Sequence, residues 1–82
     1  MNNFKILRFP QVSTMTGRTR PSLNYLIKAG LFPRPVKLSM RAAGFPDYEV
    51  EKIMKAQIGG ATVDQIRSLV CKIHAQRREV SV

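Results

Sequence analysis

Three stretches of the chain place apolar residues at i, i+3 and i+4, the spacing of a buried helical stripe. They are Leu23, Leu26 and Ile27; Val50, Ile53 and Met54; and Ile66, Leu69, Val70 and Ile73. Start and stop signals frame each one. Thr19 is a good N-cap whose hydroxyl can accept from the Ser22 N–H, and Pro21 falls in the first turn, where a missing N–H costs nothing. Asp47 is a natural N-cap after Pro46, and Thr62-Val63-Asp64-Gln65 reads as a capping box. Gly30 closes the first of these helices and Gly59-Gly60 the second. A shorter helix, Gln11–Met15, follows Pro10, with Val12 and Met15 facing the core. Gly17 supplies the positive φ of a tight turn into the next helix.

Elsewhere the period is two. Phe4–Phe9 loosely alternates and is either a short strand or an extended arm. Pro33 and Pro35 forbid helix after Gly30, and Phe32 is the expected core anchor there. Val36 and Leu38 alternate with Lys37, Ser39-Met40-Arg41 makes a turn, and Ala42–Phe45 returns as a second strand. An isolated hairpin is marginal in water, so Leu38 and Phe45 are expected to pack on the helices. Met1–Asn3 reads as a loose end and Glu79–Val82 as a tail.

The polar side of the helix after Thr19 changes the picture. At 100° per residue Pro21, Tyr25 and Lys28 lie opposite the apolar stripe. Ser22 and Asn24 flank them, and Arg18 and Arg20 stand at the N-terminal end. A short helix with one apolar face and Arg, Asn, Tyr and Lys on the other suits a DNA groove. Charge coincides with it. The formal net charge is +9, and residues 1–44 carry eight basic residues and no acidic one. Residues 45–82 hold six basic and five acidic residues. Such a field draws phosphate polyanions, and it would also draw an anionic membrane or an acidic protein.

Other chemistries find little support. At 82 residues the chain is one small domain that buries about 60% of its unfolded surface, too little for a large catalytic cavity. Cys71 alone makes neither a disulfide nor a zinc site. His74 has no partner ligand nearby in sequence and reads as structural. Glu49 with Lys52, and Glu51 with Lys55, read as supportive pairs on a solvated helix face, and Arg77 and Arg78 suit a helix C-terminus. No enzyme activity, metal or cofactor is expected. With no signal peptide and no apolar run near 18 residues, the expected location is the cytoplasm.

The segment Leu7–Met54 resembles the AlpA-type phage regulatory proteins, small relatives of the excisionases and of MerR-like winged-helix domains. The matching pieces begin with Arg8-Phe9-Pro10-Gln11-Val12, Thr16-Gly17, Arg20, Leu26-Ile27 and Gly30. They continue through Phe32-Pro33-Arg34-Pro35-Val36-Lys37-Leu38, Arg41-Ala42, Gly44-Phe45 and Glu49-Val50-Glu51. The Phe-Pro-x-Pro-Val-Lys-Leu run after a glycine-closed helix is the most specific of them. The resemblance implies a bacterial or prophage DNA-binding protein that regulates transcription of an integrase gene, or acts as a directionality factor bending attachment-site DNA. Three places depart from the family's usual pattern. Asn24 and Tyr25 replace a Tyr followed by a polar residue, Ser39-Met40 replaces a glycine-rich wing turn, and Phe45 replaces a Trp.

The expected fold is mostly α: a winged helix-turn-helix of the MerR/excisionase kind over residues 1–58, with a small two-stranded wing. An extra C-terminal helix over 61–78 either packs on that domain or self-associates, and folding back is favoured because so small a core needs the area. The expected function is sequence-specific binding of double-stranded DNA, with the second helix in the major groove and the wing on the backbone or adjacent minor groove. Ser22, Asn24, Tyr25 and Lys28 are the candidates for groove contacts, and Asn24 suits adenine. Arg18 and Arg20 would read guanine or clamp phosphate. Arg34, Lys37 and Arg41 belong to the basic wing, with Lys37 and Arg41 on phosphate. The competing reading is a non-enzymatic interaction module whose basic face and C-terminal helix bind an acidic partner. Assembly would come through that helix or through cooperative binding to neighbouring DNA sites.

Overall fold

The computed structural model describes residues 4–80, so the expected loose end at Met1–Asn3 lies outside it. In chain order the elements are β1 (Ile6–Leu7), α1 (Phe9–Thr16), α2 (Arg20–Lys28), β2 (Val36–Ser39), β3 (Ala42–Pro46), α3 (Asp47–Ile58) and α4 (Val63–Val80). The architecture is the mostly helical, winged one expected. Of the expected tail Glu79–Val82, Glu79 and Val80 belong to α4 instead, and residues 81–82 lie outside the described residues.

The wing is part of a three-stranded antiparallel sheet, ordered β1-β3-β2. The strand alternative for the N-terminal segment holds for Ile6–Leu7 only. Ile6 pairs with Pro46, Leu7 with Phe45, and the Asp47 N–H donates to the Lys5 carbonyl at 2.9 Å. Gly44 permits this approach. A Cβ there would stand 2.5 Å from Ile6 Cγ2 and 2.8 Å from the Leu7 carbonyl oxygen. Between β2 and β3 the register shifts at Leu38, between the pairs Lys37–Ala43 and Ser39–Ala42. This irregularity breaks the simple alternation, and Leu38 is 45% exposed rather than packed beneath the hairpin.

The core joins every layer. Val12, Leu23, Phe32, Phe45, Val50 and Ile53 form one cluster with Ile66, Val70 and Ile73 of α4, which folds back onto α3. Phe45 stands at its centre, edge-on to Phe9 at 5.1 Å and to Phe32 at 5.5 Å between ring centroids. Phe9 belongs to α1 rather than to a strand, and this moves the buried face of that helix. At 3.6 residues per turn Phe9 and Thr16 share one side of Val12, and Met15 falls on the other, 37% exposed instead of core-facing.

Two other expectations fail in α3. Asp47 is its first residue and makes no side-chain cap; Pro46 holds the N-cap position. Glu49 is not on a solvated face but buried, 2% exposed. Arg77 of α4 donates to both its carboxylate oxygens, Nε to Oε2 at 2.9 Å and Nη2 to Oε1. Lys52, the expected partner of Glu49, donates instead to Gln76 Oε1 at 3.3 Å. The capping box of α4 forms as read: the Thr62 N–H donates to Gln65 Oε1 at 2.8 Å, and the Gln65 N–H to Thr62 Oγ1 at 3.1 Å.

Candidate nucleic-acid interface

Local chemistry fixes both ends of α2. The turn before it is closed by Gly17 at φ 72°, whose N–H donates to the Ser13 carbonyl at 2.9 Å, and by the Ser13 hydroxyl on the Arg18 carbonyl. The Ser22 N–H donates to Thr19 Oγ1 at 3.3 Å, as the capping sequence requires. At the far end the Leu31 N–H reaches the Leu26 carbonyl at 2.8 Å and the Gly30 N–H the Ile27 carbonyl at 3.2 Å. With Gly30 at φ 78° this is a Schellman closure. Leu23 is buried and Leu26 and Ile27 are half-buried, so the stripe faces inward.

The opposite face is free. Asn24, Tyr25 and Lys28 are exposed, Tyr25 by 69%, while Ser22 and Arg18 are half-buried. Arg20 is exposed, and its guanidinium carbon lies 4.3 Å above the centre of the Phe9 ring. That cation–π contact fixes its position across the α1–α2 pair. Lys37 and Arg41 are exposed on the hairpin.

Arg34 is placed differently. Its side chain is exposed, but its backbone is held by α4 rather than by the hairpin. The Arg34 N–H donates to His74 Nε2 at 3.1 Å, and its carbonyl accepts from Arg77 Nη2 at 2.7 Å. Burial, helped by the charges of Arg34 and Arg77, lowers the His74 pKa from its ordinary value, against the opposing pull of Glu49. A neutral imidazole is what an Nε2 acceptor needs. Arg67 of α4 also reaches toward the end of α2, with Nε 3.5 Å from the Ala29 carbonyl. The helix behind the basic face thus braces the segment that links α2 to the hairpin.

The fold draws Arg20 and Arg41 together on a groove of about 480 Å³, lined also by Arg8, Phe9, Pro10 and Ala43. Arg8 was not among the candidate contacts. Its position directly before Phe9-Pro10 was the available signal, masked by reading it as a strand residue. Among the described residues no group of three His, Cys, Asp or Glu could hold a metal ion. No helix among them is long and apolar enough to cross a membrane.

Residues 5–58 match the family described as Prophage CP4-57 regulatory protein (AlpA). The chain belongs to the AlpA family. No curated protein and no solved structure matches it. The AlpA match runs from the start of the sheet to the end of α3 and takes in α2, the hairpin and the groove. It leaves α4 outside, so the helix that completes the core and holds Arg34 lies beyond the AlpA segment.

Proposed function

We propose that this AlpA-family protein binds double-stranded DNA sequence-specifically, as a prophage transcriptional regulator or a recombination directionality factor. One observation carries the reading. The exposed sides of α2 and the hairpin come from residues 1–44, which hold eight basic residues and no acidic one. Such a surface has no internal counter-charge, and duplex DNA supplies one along its length. Residues 1–58 are then the DNA-binding unit, and helix 61–78 supports it from behind in a monomer that assembles on neighbouring sites. The protein works in the cytoplasm without catalysis or cofactor.

In this reading α2 enters the major groove. Asn24, Tyr25, Lys28 and Ser22 meet base edges or the groove wall, and Asn24 pairs with adenine through N6 and N7. Arg18 and Arg20, at the start of α2, meet guanine or phosphate. Arg34, Lys37 and Arg41 bind phosphate, which fixes register but carries no sequence information.

Selection from a random duplex pool, followed by anisotropy titrations at several salt concentrations, tests this. An enriched motif is expected. Four to six phosphate contacts give log affinity a slope of about −4 to −5 against log salt. Asn24→Ala should lower the preference for the selected duplex over a random one by about 1–3 kcal/mol, and Lys37→Ala should weaken both alike. No enrichment together with a flat salt response would remove the proposal.

A further inference from the structure

The groove between the helix pair and the wing is lined by three arginines from three separate parts of the chain. Arg8 precedes α1, Arg20 opens α2 and Arg41 sits at the hairpin turn. The backbone is held at Arg8 and beside Arg41, and the Arg20 side chain is held by an aromatic ring. The Arg8 backbone is held on both sides, its N–H donating to Gln11 Oε1 at 2.9 Å and its carbonyl accepting from the Val12 N–H at 2.9 Å. Arg20 lies over Phe9, and Phe9 is braced edge-on by the buried Phe45. Arg41 is set by the pairing of Ser39 with Ala42 at the hairpin end.

Among the described residues none of the three makes an ion pair. Every lining residue comes from the acid-free stretch 1–44. Like charges lining one groove without a counter-ion repel one another, and an anion placed among them relieves that repulsion. Guanidinium forks match the non-bridging oxygens of a phosphate. The remaining walls are Phe9, Pro10 and Ala43, an apolar surface that suits deoxyribose better than water. At about 480 Å³ the groove has room for more than a bare phosphate ion.

We propose that this groove seats one phosphodiester of the DNA backbone, with its flanking sugars, gripped jointly by Arg8, Arg20 and Arg41. The inference rests on the DNA-binding reading and adds a site to it. A single phosphate held from three elements fixes the angle between α2 and the wing on the duplex. It makes Arg8, from outside both, a positioning contact for each.

Salt titrations on a random-sequence duplex read the site directly, because a phosphate contact is independent of sequence. Arg8→Ala and Arg41→Ala should each make the slope shallower by about 1, and Arg8→Lys should restore most of it. Arg78→Ala, on the far end of α4, should leave it unchanged. Single neutral methylphosphonates placed along the selected duplex then locate the phosphate. One position should weaken wild-type binding and become neutral in both Arg8→Ala and Arg41→Ala. Inorganic phosphate at millimolar concentration should compete only weakly, since it lacks the sugars. Different positions for the two variants would overturn the shared seat. So would a wild-type slope that Arg8→Ala leaves intact while the variant melts normally, and DNA binding itself would then still stand. A wild type that binds no duplex would remove both proposals.

Discussion

Arginine does opposite work on the two sides of this small protein. On the front, from β1 to the hairpin, no acid exists to pair with, so Arg8, Arg20 and Arg41 face a shared groove uncompensated. On the back, from α3 onward, acids return and two of the arginines find carboxylate partners. Arg77 forks onto the buried Glu49, and Arg67 reaches Asp64 at 3.4 Å. The same side chain is an exposed cation without an ion-pair partner among the described residues in one region and, at Arg77, a structural strut in the other. What separates the roles is the local supply of carboxylates and the burial available to them. Arg34 lies at the seam, with its side chain exposed and its backbone gripped from behind by His74 and Arg77.

The sharpest way to break this contrast is to remove the back-side strut. Arg77→Ala leaves the Glu49 carboxylate buried without a partner and the Arg34 carbonyl without its donor. Losing one member of a buried pair costs about 3–5 kcal/mol, and the lower figure fits because Arg77 is partly exposed. Arg78→Ala, one residue further and exposed, should stay within about 0.5 kcal/mol of wild type. Replacing the pair together, Glu49→Leu with Arg77→Met, should recover most of the loss, since apolar packing substitutes well for a buried ion pair. Urea melts measure all three. If Arg77→Ala were no worse than Arg78→Ala, the back side would be no more strutted than the front.

Gly44 tests the front in the same way. The Leu7 carbonyl oxygen would lie 2.8 Å from an added Cβ, and a backbone atom cannot swing aside as a side-chain tip can. Gly44→Ala should therefore part β1 from β3 and cost about 1–3 kcal/mol, the usual range for overpacking. Because β1 leads directly into Arg8, DNA affinity should fall with it, whereas Arg77→Ala acts first on stability. Loss of amide protection across the Leu7–Phe45 pair would locate the damage. A Gly44→Ala protein as stable as wild type would mean that β1 is dispensable to the wing.

What the sequence made legible follows range. The cap of α2, its Schellman closure and the capping box of α4 join groups within five residues, and each was readable from residue type and spacing. Glu49 and Arg77 stand 28 residues apart. Helical spacing offered Lys52 as the nearer partner, and only the packing of α4 on α3 decides otherwise. Leu38 followed alternation until a register shift displaced it, and Met15 followed a helix that in fact starts with Phe9. The polar face of α2 was legible because one helix carries it. The arginine groove was not, because α1, α2 and the hairpin must first come together to make it.

The smallest effect probes the seam. His74 Nε2 accepts from the Arg34 N–H, so protonation would set a second N–H against the first and add a positive charge beside Arg34 and Arg77. Burial is the larger cause of the lowered pKa, those two charges follow, and Glu49 pulls the other way. The sign follows from proton counts. Below the ordinary value of 6.5 the unfolded chain takes up a proton that the folded one still refuses. Stability contributed by this contact is therefore complete above that pH and declines as pH falls, levelling once the folded imidazole also protonates. His74→Gln, whose amide oxygen can accept the same N–H without titrating, should lack that component. The comparison is the difference in melting temperature between the two proteins at about pH 7.5 and about pH 5.5, since the carboxylates contribute to both. The wild type should lose more than the variant over that interval. Equal losses would mean that α4 holds Arg34 without the imidazole, leaving Arg77 as the bond between the braced and the free sides of the protein.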